Sequence, residues 1–275
     1  MNSSPDAHPT VPAFRRRDGI IDAVEARGFV RTVDLAREFG TSEVTIRGDL
    51  DHLTAGGRLA RVHGGAMWVE RPPVERPFEE ESAVGAAAKR AIGAAAASLV
   101  RSGQCVVLDV GTTTMQIALA LVDRPDLTDI VVVTNGLTIA LVLERAVPRF
   151  TVVVTGGTLR PLQHSLVNPL ATLVLDGITA DIAFIGCTGV DADHGVTNVN
   201  LPETDLKRAL ARTAKRSYVV ADGGKIGVAH LGVIGPLDRF DGLVTAGADP
   251  DRVAALRSTG FVVLEAGADD TEETP

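Results

Sequence analysis

In residues 83–267, seven short β-rich runs alternate with helical stretches, and this alternation constrains the fold more than any other feature. Runs that are apolar on both faces and separated by helices are typical of a mostly parallel sheet covered by helices on both sides. We therefore predict an α/β domain with a Rossmann-like, mostly parallel sheet. The runs are CVVLDV (105–110), DIVVVTN (129–135), FTVVVTGG (150–157), DIAFIGCTG (181–189), RSYVVADGG (216–224), GLVTAG (242–247) and FVVLEA (261–266).

The stretches between the runs carry helical patterns, and ligands of such sheets bind at the carboxyl ends of the strands. Each predicted strand ends there in small or polar residues, as in DVGTTT, TNG, TGGTLR, GCTGVD and ADGGK. This edge is therefore the predicted ligand site. The predicted helices cover 83–101, 114–121, 137–146, 168–176, 203–214 and 250–258.

Residues 14–69 have a different pattern, with three short amphipathic helices and a glycine-terminated alternating segment, RLARVHGGAMW. The helices are predicted over 14–27, 32–40 and 42–53. Thr32 is a candidate N-cap of the second helix, Gly40 is expected to end it, and Thr41 or Ser42 is expected to cap the third. Two helices joined by a short turn and followed by a β-wing form a winged helix-turn-helix.

In that geometry the third helix enters the major groove of DNA and the wing meets the backbone or the minor groove. The pattern alone favours DNA binding but also fits a protein-docking module, so the residue types on the third helix and the wing must support DNA binding. A bidentate hydrogen bond from arginine to guanine is the commonest base-specific contact in protein–DNA complexes. The candidate DNA-binding residues are Ser42, Thr45 and Arg47 on the helix and Arg58, Arg61 and His63 on the wing.

The formal net charge of −8 is unevenly distributed along the chain. Residues 14–69 hold nine arginines and eight acidic residues, whereas residues 83–275 hold 16 basic and 21 acidic residues. The N-terminal segment is therefore near neutral. Any contact with DNA must come from individually placed arginines rather than from a general positive field.

The remaining segments are expected to be simple. ERPPVERPFEEES (70–82) holds three prolines and a run of acids and is predicted to be a linker, while 1–13 and 268–275 are predicted to be a disordered lead and tail. Cys105 and Cys187 lie in apolar runs, which favours free core thiols in a reducing cytoplasm over a disulfide or metal site. We find neither a membrane-spanning run nor the pattern of a signal peptide, and we expect a cytoplasmic protein.

LDVGTTT (108–114) joins a predicted strand to a helix and is a candidate phosphate site. A helix start offers free N–H groups and the positive end of a dipole, and three threonines add hydroxyls. An ordinary capped strand–helix turn explains a lone GTTT equally well. The candidate residues are Asp109, Gly111, Thr112, Thr113 and Thr114.

Further polar residues fall in loops at the same predicted edge. Lys225 follows two glycines in such a loop, and lysines are rare in this chain, with four against 23 arginines. Lys225 is therefore a candidate ligand for a phosphate or sugar oxygen, with a solvated surface lysine as the alternative. Glu203 and Lys207 are four residues apart, for which a solvated pair on a helix surface is the simpler interpretation. The other candidates are Thr134, Asn135, Gly156, Gly157, Arg160, Asp191, Thr197 and Asp222.

Both segments resemble one family. TSEVTIRGDLDHLTAGGRLARVHGGA, covering the predicted third helix and wing, closely resembles the N-terminal signature of the DeoR family of bacterial transcriptional regulators. LDVGTTTMQIALAL, VVTNGLTIALVL, VVTGGTLRPLQHSLVNPLA, AFIGCTGVDADHGVTN and VADGGKIG look like the sensor domain of that family. The resemblance covers residues 14 to 245, roughly. It departs from the family at Gly48, where a second arginine is usual.

The resemblance implies a sensor domain with a ribose-5-phosphate-isomerase-like fold that binds phosphorylated sugars. It also implies a DNA-binding repressor of carbohydrate genes. Because palindromic or repeated operators require paired readers, we expect a homodimer or homotetramer, and we expect no cofactor or metal. Carried over by position, Gly111 to Thr114 would hold the phosphate. The rest of the pocket would be lined by Asn135, Gly157, Arg160, Asp191, Thr197, Glu203, Asp222 and Lys225.

Two alternatives come from other functional classes. One alternative is that the large domain is an aldose–ketose phosphate isomerase, with Asp109, Asp191, Glu203 and Lys225 as acid–base groups. An attached winged helix, which an isomerase does not need, argues against it. A protein-interaction adaptor is the third possibility, and it predicts no binding to DNA.

Overall fold

The structure is a computed structural model that describes residues 13–55, 59–62, 64–68 and 75–267. The chain forms two compact units, Met1–Val74 and Glu75–Pro275. Among the residues described, no helix is long and apolar enough to cross a membrane.

The first unit is a helix-turn-helix followed by a wing, as predicted. Its antiparallel three-stranded sheet has the order β1-β3-β2. The strand β1 was not predicted, since three residues give no measurable periodicity. The elements are α1 (Ala13–Arg27), β1 (Phe29–Arg31), α2 (Thr32–Glu38), α3 (Glu43–Ala55), β2 (Leu59–Val62) and β3 (Gly65–Trp68).

One apolar stripe from each helix builds the core of the first unit. Ile20, Leu35 and Ile46 are fully buried together with residues of the sheet. The predicted cap of α2 is wrong: Arg31 occupies the N-cap position, and no side chain among the described residues caps the helix. Thr32 is instead a buried first-turn residue, and its N–H donates to the Gly64 carbonyl at 2.9 Å.

All seven predicted strands are present in the second unit and form one sheet with the order β15-β14-β12-β9-β4-β5-β6. Every neighbouring pair is parallel, because a helix or longer connection returns the chain before each new strand. The strands are β4 (Cys105–Leu108), β5 (Ile130–Thr134), β6 (Phe150–Val154), β9 (Ala180–Gly186), β12 (Ala214–Val220), β14 (Gly242–Thr245) and β15 (Val263–Glu265).

Helices cover both faces of this sheet. Along β4, Val106 packs into the apolar cluster that includes Ile117 of α6, whereas Val107 packs into the opposite cluster, which includes Leu206 of α9. This is why the strands read as continuous apolar runs. The helices are α4 (Phe78–Ala83), α5 (Ala86–Ser98), α6 (Thr112–Val122), α7 (Leu137–Leu143), α8 (Leu170–Leu175), α9 (Leu201–Thr213) and α10 (Pro250–Ser258).

Five short strands lie outside the main sheet and were not predicted. Two form a hairpin and three form a small antiparallel sheet with the order β10-β11-β13. At three or four residues each, they are too short for a period-two pattern to show. They are β7 (Thr158–Arg160), β8 (Ser165–Val167), β10 (Gly189–Asp191), β11 (Gly195–Asn198) and β13 (Gly232–Gly235).

The stretch expected to be a linker departs from that expectation in its second half. Residues 75–82 belong to the second unit, and Phe78 at the start of α4 is buried. Burial of this one aromatic ring ties the segment to the sheet domain. The linker expected over 70–82 is therefore not free of packing.

Candidate functional site

The sheet of the second unit changes its direction of growth between β4 and β9. From β4 the chain continues through β5 to β6 on one side, and β9, β12, β14 and β15 follow on the other. Such a switch point leaves a crevice at the carboxyl ends of the two central strands, where open α/β sheets bind ligands. Asp109 follows β4 at this point and Cys187 follows β9.

Asp109 lies at the floor of the crevice and is fully buried. Its Oδ2 accepts hydrogen bonds from the Gly186 N–H, at 3.0 Å, and from Lys207 Nζ. Burial raises the pKa of Asp109 to about 6, and the Lys207 ammonium only partly opposes this. Its second oxygen, Oδ1, has no hydrogen-bond partner within the described part of the chain.

Lys207 and Glu203 both point from α9 into the interior, and the prediction of a solvated surface pair is wrong. Their exposed fractions are 3% and 4%. Burial opposes the charge of Lys207, but the Asp109 and Glu203 carboxylates outweigh it and hold the pKa of Lys207 above its ordinary value. Pairing of Lys207 with Asp109, 98 positions earlier, is invisible to an i, i+4 pattern.

The turn from β4 into α6 has the form predicted for a phosphate site. Gly111 is the N-cap of α6, with φ of +148°, and no described side chain caps the helix. Thr112, Thr113 and Thr114 form the buried first turn, and Thr114 Oγ1 donates to the Gly111 carbonyl at 2.9 Å. The turn therefore presents N–H groups of a helix start together with threonine hydroxyls.

Thr134 and Asn135 fix the neighbouring loop after β5. Asn135 Oδ1 accepts from the Val110 N–H at 2.9 Å, which ties the two strand ends together. Thr134 Oγ1 accepts from the Gly136 N–H at 3.1 Å. Both side chains are buried and hold the loops in place.

After β6 the chain turns through Gly156 and Gly157, with φ of +70° and +127°. A Cβ at Gly157 would collide with the Val167 carbonyl of the hairpin β7–β8. These glycines therefore let the hairpin fold back close to the strand end, which brings Arg160 toward α9.

Arg160 joins carboxylates from two parts of the second unit. Its guanidinium donates to Glu203 Oε1 at 2.5 Å and to both oxygens of Glu75, at 3.1 and 2.5 Å. Ser165 Oγ also donates to Glu203 Oε1, at 2.7 Å. Burial opposes the charge of Arg160, but the carboxylates outweigh it and raise its pKa.

Lys225 closes the 3-10 turn Gly223–Lys225 after β12, where Asp222 Oδ1 accepts from the Gly224 N–H at 3.1 Å. Lys225 Nζ donates to Glu81 Oε1 of α4 at 2.9 Å. Lys89, only 2% exposed, donates to the Glu81 carbonyl at 2.6 Å. Burial opposes ionisation of Glu81, but the hydrogen bond and charge of Lys225 outweigh it and lower its pKa.

The turn at Gly111 and the turn at Lys225 lie at the same edge of the sheet. Each follows a strand of the same parallel sheet, and only β9 separates the two strands. Strands are spaced about 4.8 Å apart, so the two turns start roughly 10 Å from each other. The predicted anion-binding groups therefore share one edge, as the sequence indicated.

Asp191 and Thr197 lie in the small sheet, and their side chains form hydrogen bonds with neighbouring residues there. Asp191 Oδ1 accepts from the His194 N–H at 2.9 Å and contacts His194 Nδ1 at 2.7 Å. Thr197 Oγ1 donates to the Gly189 carbonyl and accepts from the His230 N–H. The structure does not bring either side chain into the cluster around Asp109, and their effector-binding roles stay predictions.

Sequence reasoning missed several residues of this edge. Glu75 and Glu81 were assigned to a linker on the strength of their proline-rich, acidic surroundings. The only signal against that assignment was Phe78, an apolar residue with no reason to occur in a solvated linker. Lys89 and Ser165 carried no signal at all.

In the first unit the start of α3 is solvent-exposed. Ser42 Oγ accepts from the Thr45 N–H at 3.1 Å, so Ser42 is the residue that caps the helix. Arg47 is exposed and donates to Glu43 Oε2 at 3.0 Å. Gly48 is exposed too, and a Cβ there would meet no atom within 4 Å in the part of the first unit that the structure describes. Of the predicted wing contacts, Arg61 is described only by its backbone in β2, and Arg58 and His63 lie outside the described residues.

Comparison with known proteins agrees with this division. Residues 16–71 match the model of the DeoR-like helix-turn-helix domain, and residues 85–246 match the DeoR C terminal sensor domain. The chain is 31% identical to the HTH-type transcriptional regulator GlpR of Haloferax volcanii over 93% of this chain and 98% of that protein. It is 27% identical to the Glycerol-3-phosphate regulon repressor of Escherichia coli K12, over 91% and 98%.

Among solved structures, a D-ribose-5-phosphate isomerase in complex with phospho-erythronic acid aligns with a TM-score of 0.37 and 18% identity, over 50% of this chain and 52% of that one. A score this low carries no functional argument. The two family matches together span most of the chain and coincide with the winged helix and the sheet domain. The chain belongs to the DeoR family of transcriptional regulators.

Proposed function

We propose that this DNA-binding regulator represses genes of sugar metabolism and that a phosphorylated sugar, bound at the carboxyl edge of the sheet, controls it. Repression is supported by the name of the Escherichia coli relative, a glycerol-3-phosphate regulon repressor. That name also refers to glycerol 3-phosphate, a small phosphorylated polyol, and we propose an effector of similar chemistry for this chain.

The single observation that carries the sugar site is the unsatisfied Oδ1 of Asp109. A buried carboxylate oxygen without a donor costs free energy of about 1–3 kcal/mol or more, so such an atom calls for a partner. It lies at the switch point of the sheet, where ligands of this fold class bind. A sugar hydroxyl is a donor of the right kind, and two or three hydroxyls would also reach the polar groups nearby.

The phosphate is assigned to the turn before α6. Gly111 and the threonines at 112–114 offer N–H groups and hydroxyls, and Arg160 and Lys225 supply positive charge at the same edge. Lys207 is already neutralised by Asp109. The remaining proposed ligand-lining residues are Thr134, Asn135, Gly156, Gly157, Asp191, Thr197, Glu203 and Asp222.

The DNA contacts are assigned to the exposed start of α3. Ser42, Thr45 and Arg47 would face phosphates and base edges in the major groove, and the wing would meet the backbone. Operators with two half-sites require paired readers, so we propose a homodimer or homotetramer acting in the cytoplasm. The isomerase alternative is set aside because the family matches are to regulators and not to enzymes.

A thermal-shift screen tests the effector assignment. Phosphorylated sugars are compared with their unphosphorylated counterparts, and a ligand at 100 times its Kd stabilises the folded protein by about 2.7 kcal/mol. The shift should be lost in Thr113→Ala and Lys225→Ala but kept in Lys215→Ala, whose lysine is exposed and pairs with Asp181. A panel without any hit, or a shift that survives in both site variants, would contradict the proposal.

A further inference from the structure

Residues 75–83, which we call the strap, run along the carboxyl edge of the sheet at the start of the second unit. The strap consists of Glu75–Pro77 and helix α4. Two of its glutamates, Glu75 and Glu81, each form an ion pair with a basic residue of the proposed effector site. Both carboxylate oxygens of Glu75 accept hydrogen bonds from the Arg160 guanidinium, and Glu81 accepts one from Lys225.

These ion pairs lie partly out of water. The exposed fractions of the side chains are 20% and 16% for Arg160 and Glu75, and 27% and 21% for Lys225 and Glu81. Pairs of this kind are stronger than fully exposed ones but remain open to competition from another anion. Arg160 and Lys225 are thus occupied by carboxylates of the chain itself, and Arg160 keeps a second carboxylate partner, Glu203, outside the strap.

Among the described residues, the strap is also held by the buried Phe78 ring and by a contact of 3.3 Å between Glu79 Oε1 and His164 Nε2. Gln163 Nε2 donates to the Arg76 carbonyl at 2.6 Å, and the Phe78 ring lies 5.3 Å from the His164 ring. Glu81 also covers Lys89, a cation that is 2% exposed. Displacing Glu81 would therefore uncover a further positive charge for an incoming anion.

We propose that the strap is an internal ligand: Glu75 and Glu81 occupy the cationic groups of the effector site, and an anionic effector binds by displacing them. This inference rests on the proposed function, since it requires that Arg160 and Lys225 serve an anion. A phosphate group offers more negative charge and more acceptor oxygens than one carboxylate, so it can compete with either of them. The closed strap reduces apparent affinity by the fraction of molecules in which it is open.

The position of the strap in the chain gives the competition a regulatory use. The strap begins at Glu75, directly after the first unit, which ends at Val74. A ligand that changes the strap therefore acts on the chain segment that connects to the DNA-binding unit. Effector binding and DNA binding become linked, and by thermodynamic reciprocity each changes the affinity of the other by the same factor.

The test uses the full-length protein, inorganic phosphate as the probe and chloride at matched ionic strength as the reference. In wild type, phosphate should increase amide hydrogen exchange in peptides covering 75–83. In Glu75→Gln/Glu81→Gln that exchange should already be high without phosphate, and phosphate should bind about tenfold more tightly by calorimetry. Glu80→Gln removes an exposed charge from the same helix and should behave like wild type.

Glu75→Gln alone keeps the Glu81 contacts with buried Lys89 and guards against a folding defect in the double variant. It should tighten phosphate binding about threefold. If phosphate binds wild type but neither the strap exchange nor the affinity responds to loss of Glu75 and Glu81, the strap is only structural and the proposal is wrong, while the proposed function stands. If the variants loosen the strap but no protein binds phosphate saturably, the anion site itself is wrong and both proposals fall.

Discussion

Lys207 Nζ donates to Asp109 Oδ2 across the switch point of the sheet, joining α9 to the end of β4. Neither side chain is more than 4% exposed. Two carboxylates stabilise the charged form of Lys207, since Glu203 as well as Asp109 raises its pKa. The Lys207–Asp109 pair therefore joins α9 to the end of β4, while Oδ1 of Asp109 has no hydrogen-bond partner among the described residues.

Replacement of Lys207 by methionine should destabilise the second unit in a pH-dependent way. The folded pKa of Asp109 is raised to about 6 from 3.8, so the folded state binds more protons between these values and stability falls as pH rises through this window. Without Lys207 the window extends upward. We expect a loss of about 3–5 kcal/mol at pH 8 and a smaller loss at pH 5 from denaturant unfolding, because a protonated Asp109 tolerates burial.

The matched control is Lys215→Met. Lys215 pairs with Asp181 at 2.9 Å, but its side chain is 69% exposed, so its loss should cost about 0–1 kcal/mol at either pH. Equal losses for Lys207→Met at pH 5 and pH 8 would show that the pKa of Asp109 is not the cause.

The main sheet was predictable because its strands are buried on both faces and therefore form long apolar runs. CVVLDV and DIVVVTN need no tertiary information to be recognised. The hairpin β7–β8 and the small sheet were not predictable, since their strands have three or four residues and their pairing is fixed by contacts made elsewhere. Thr32 was misjudged because its N–H is used by the wing, a contact that local capping rules ignore.

The position of Asp109, Gly111 and Lys225 at the carboxyl edge was predictable, because each lies directly after a strand. The site was not predictable where a partner comes from a distant segment. Glu203 and Lys207 have the spacing of a surface pair, and only the packing of α9 shows that they are buried. Glu75 and Glu81 were hidden for the same reason, since nothing local indicates that an acidic, proline-rich stretch packs against basic residues.

Gly48→Arg should bind DNA more tightly and with a steeper dependence on salt. The position is exposed, and a Cβ there meets no atom of the described residues within 4 Å, so the fold accepts a side chain. One added phosphate contact increases the salt slope by about 1. Binding is measured by fluorescence anisotropy at several salt concentrations on a duplex selected by the protein from a random pool.

Gly48→Ala separates the two effects of that change. Alanine restores helix propensity by about 1 kcal/mol but adds no charge. It should raise the stability of the first unit without changing the salt slope. An arginine variant with the slope of the alanine variant would remove position 48 from the DNA interface.

Arg47→Ala should weaken binding to the selected duplex and relax its sequence preference. Arg47 is exposed on α3, and within the described part of the chain its guanidinium pairs with Glu43 four residues earlier. It can exchange this exposed partner for a guanine edge. Loss of such a contact costs about 1–3 kcal/mol, and the selected and a scrambled duplex should then bind more alike. Arg257→Ala, in the second unit, removes an arginine of similar exposure and serves as the control. A uniform loss on both duplexes would assign Arg47 to a phosphate instead.

Gly93→Ala should destabilise the protein and weaken effector binding, although the same change stabilises most helices. Gly93 is a buried residue of α5, and a Cβ there would lie 2.7 Å from the carbonyl carbon and oxygen of Gln116 in α6. The two helices must then separate at a cost of about 1–3 kcal/mol, and the start of α6, which carries Thr112 to Thr114, moves with them.

Gly48→Ala is the control, since it also places alanine inside a helix, but there its Cβ meets no described atom within 4 Å. Calorimetry of the full chain should show a lower melting temperature for Gly93→Ala alone. A melting temperature at or above that of wild type would mean that α5 and α6 are not as closely packed at Gly93 as this contact requires.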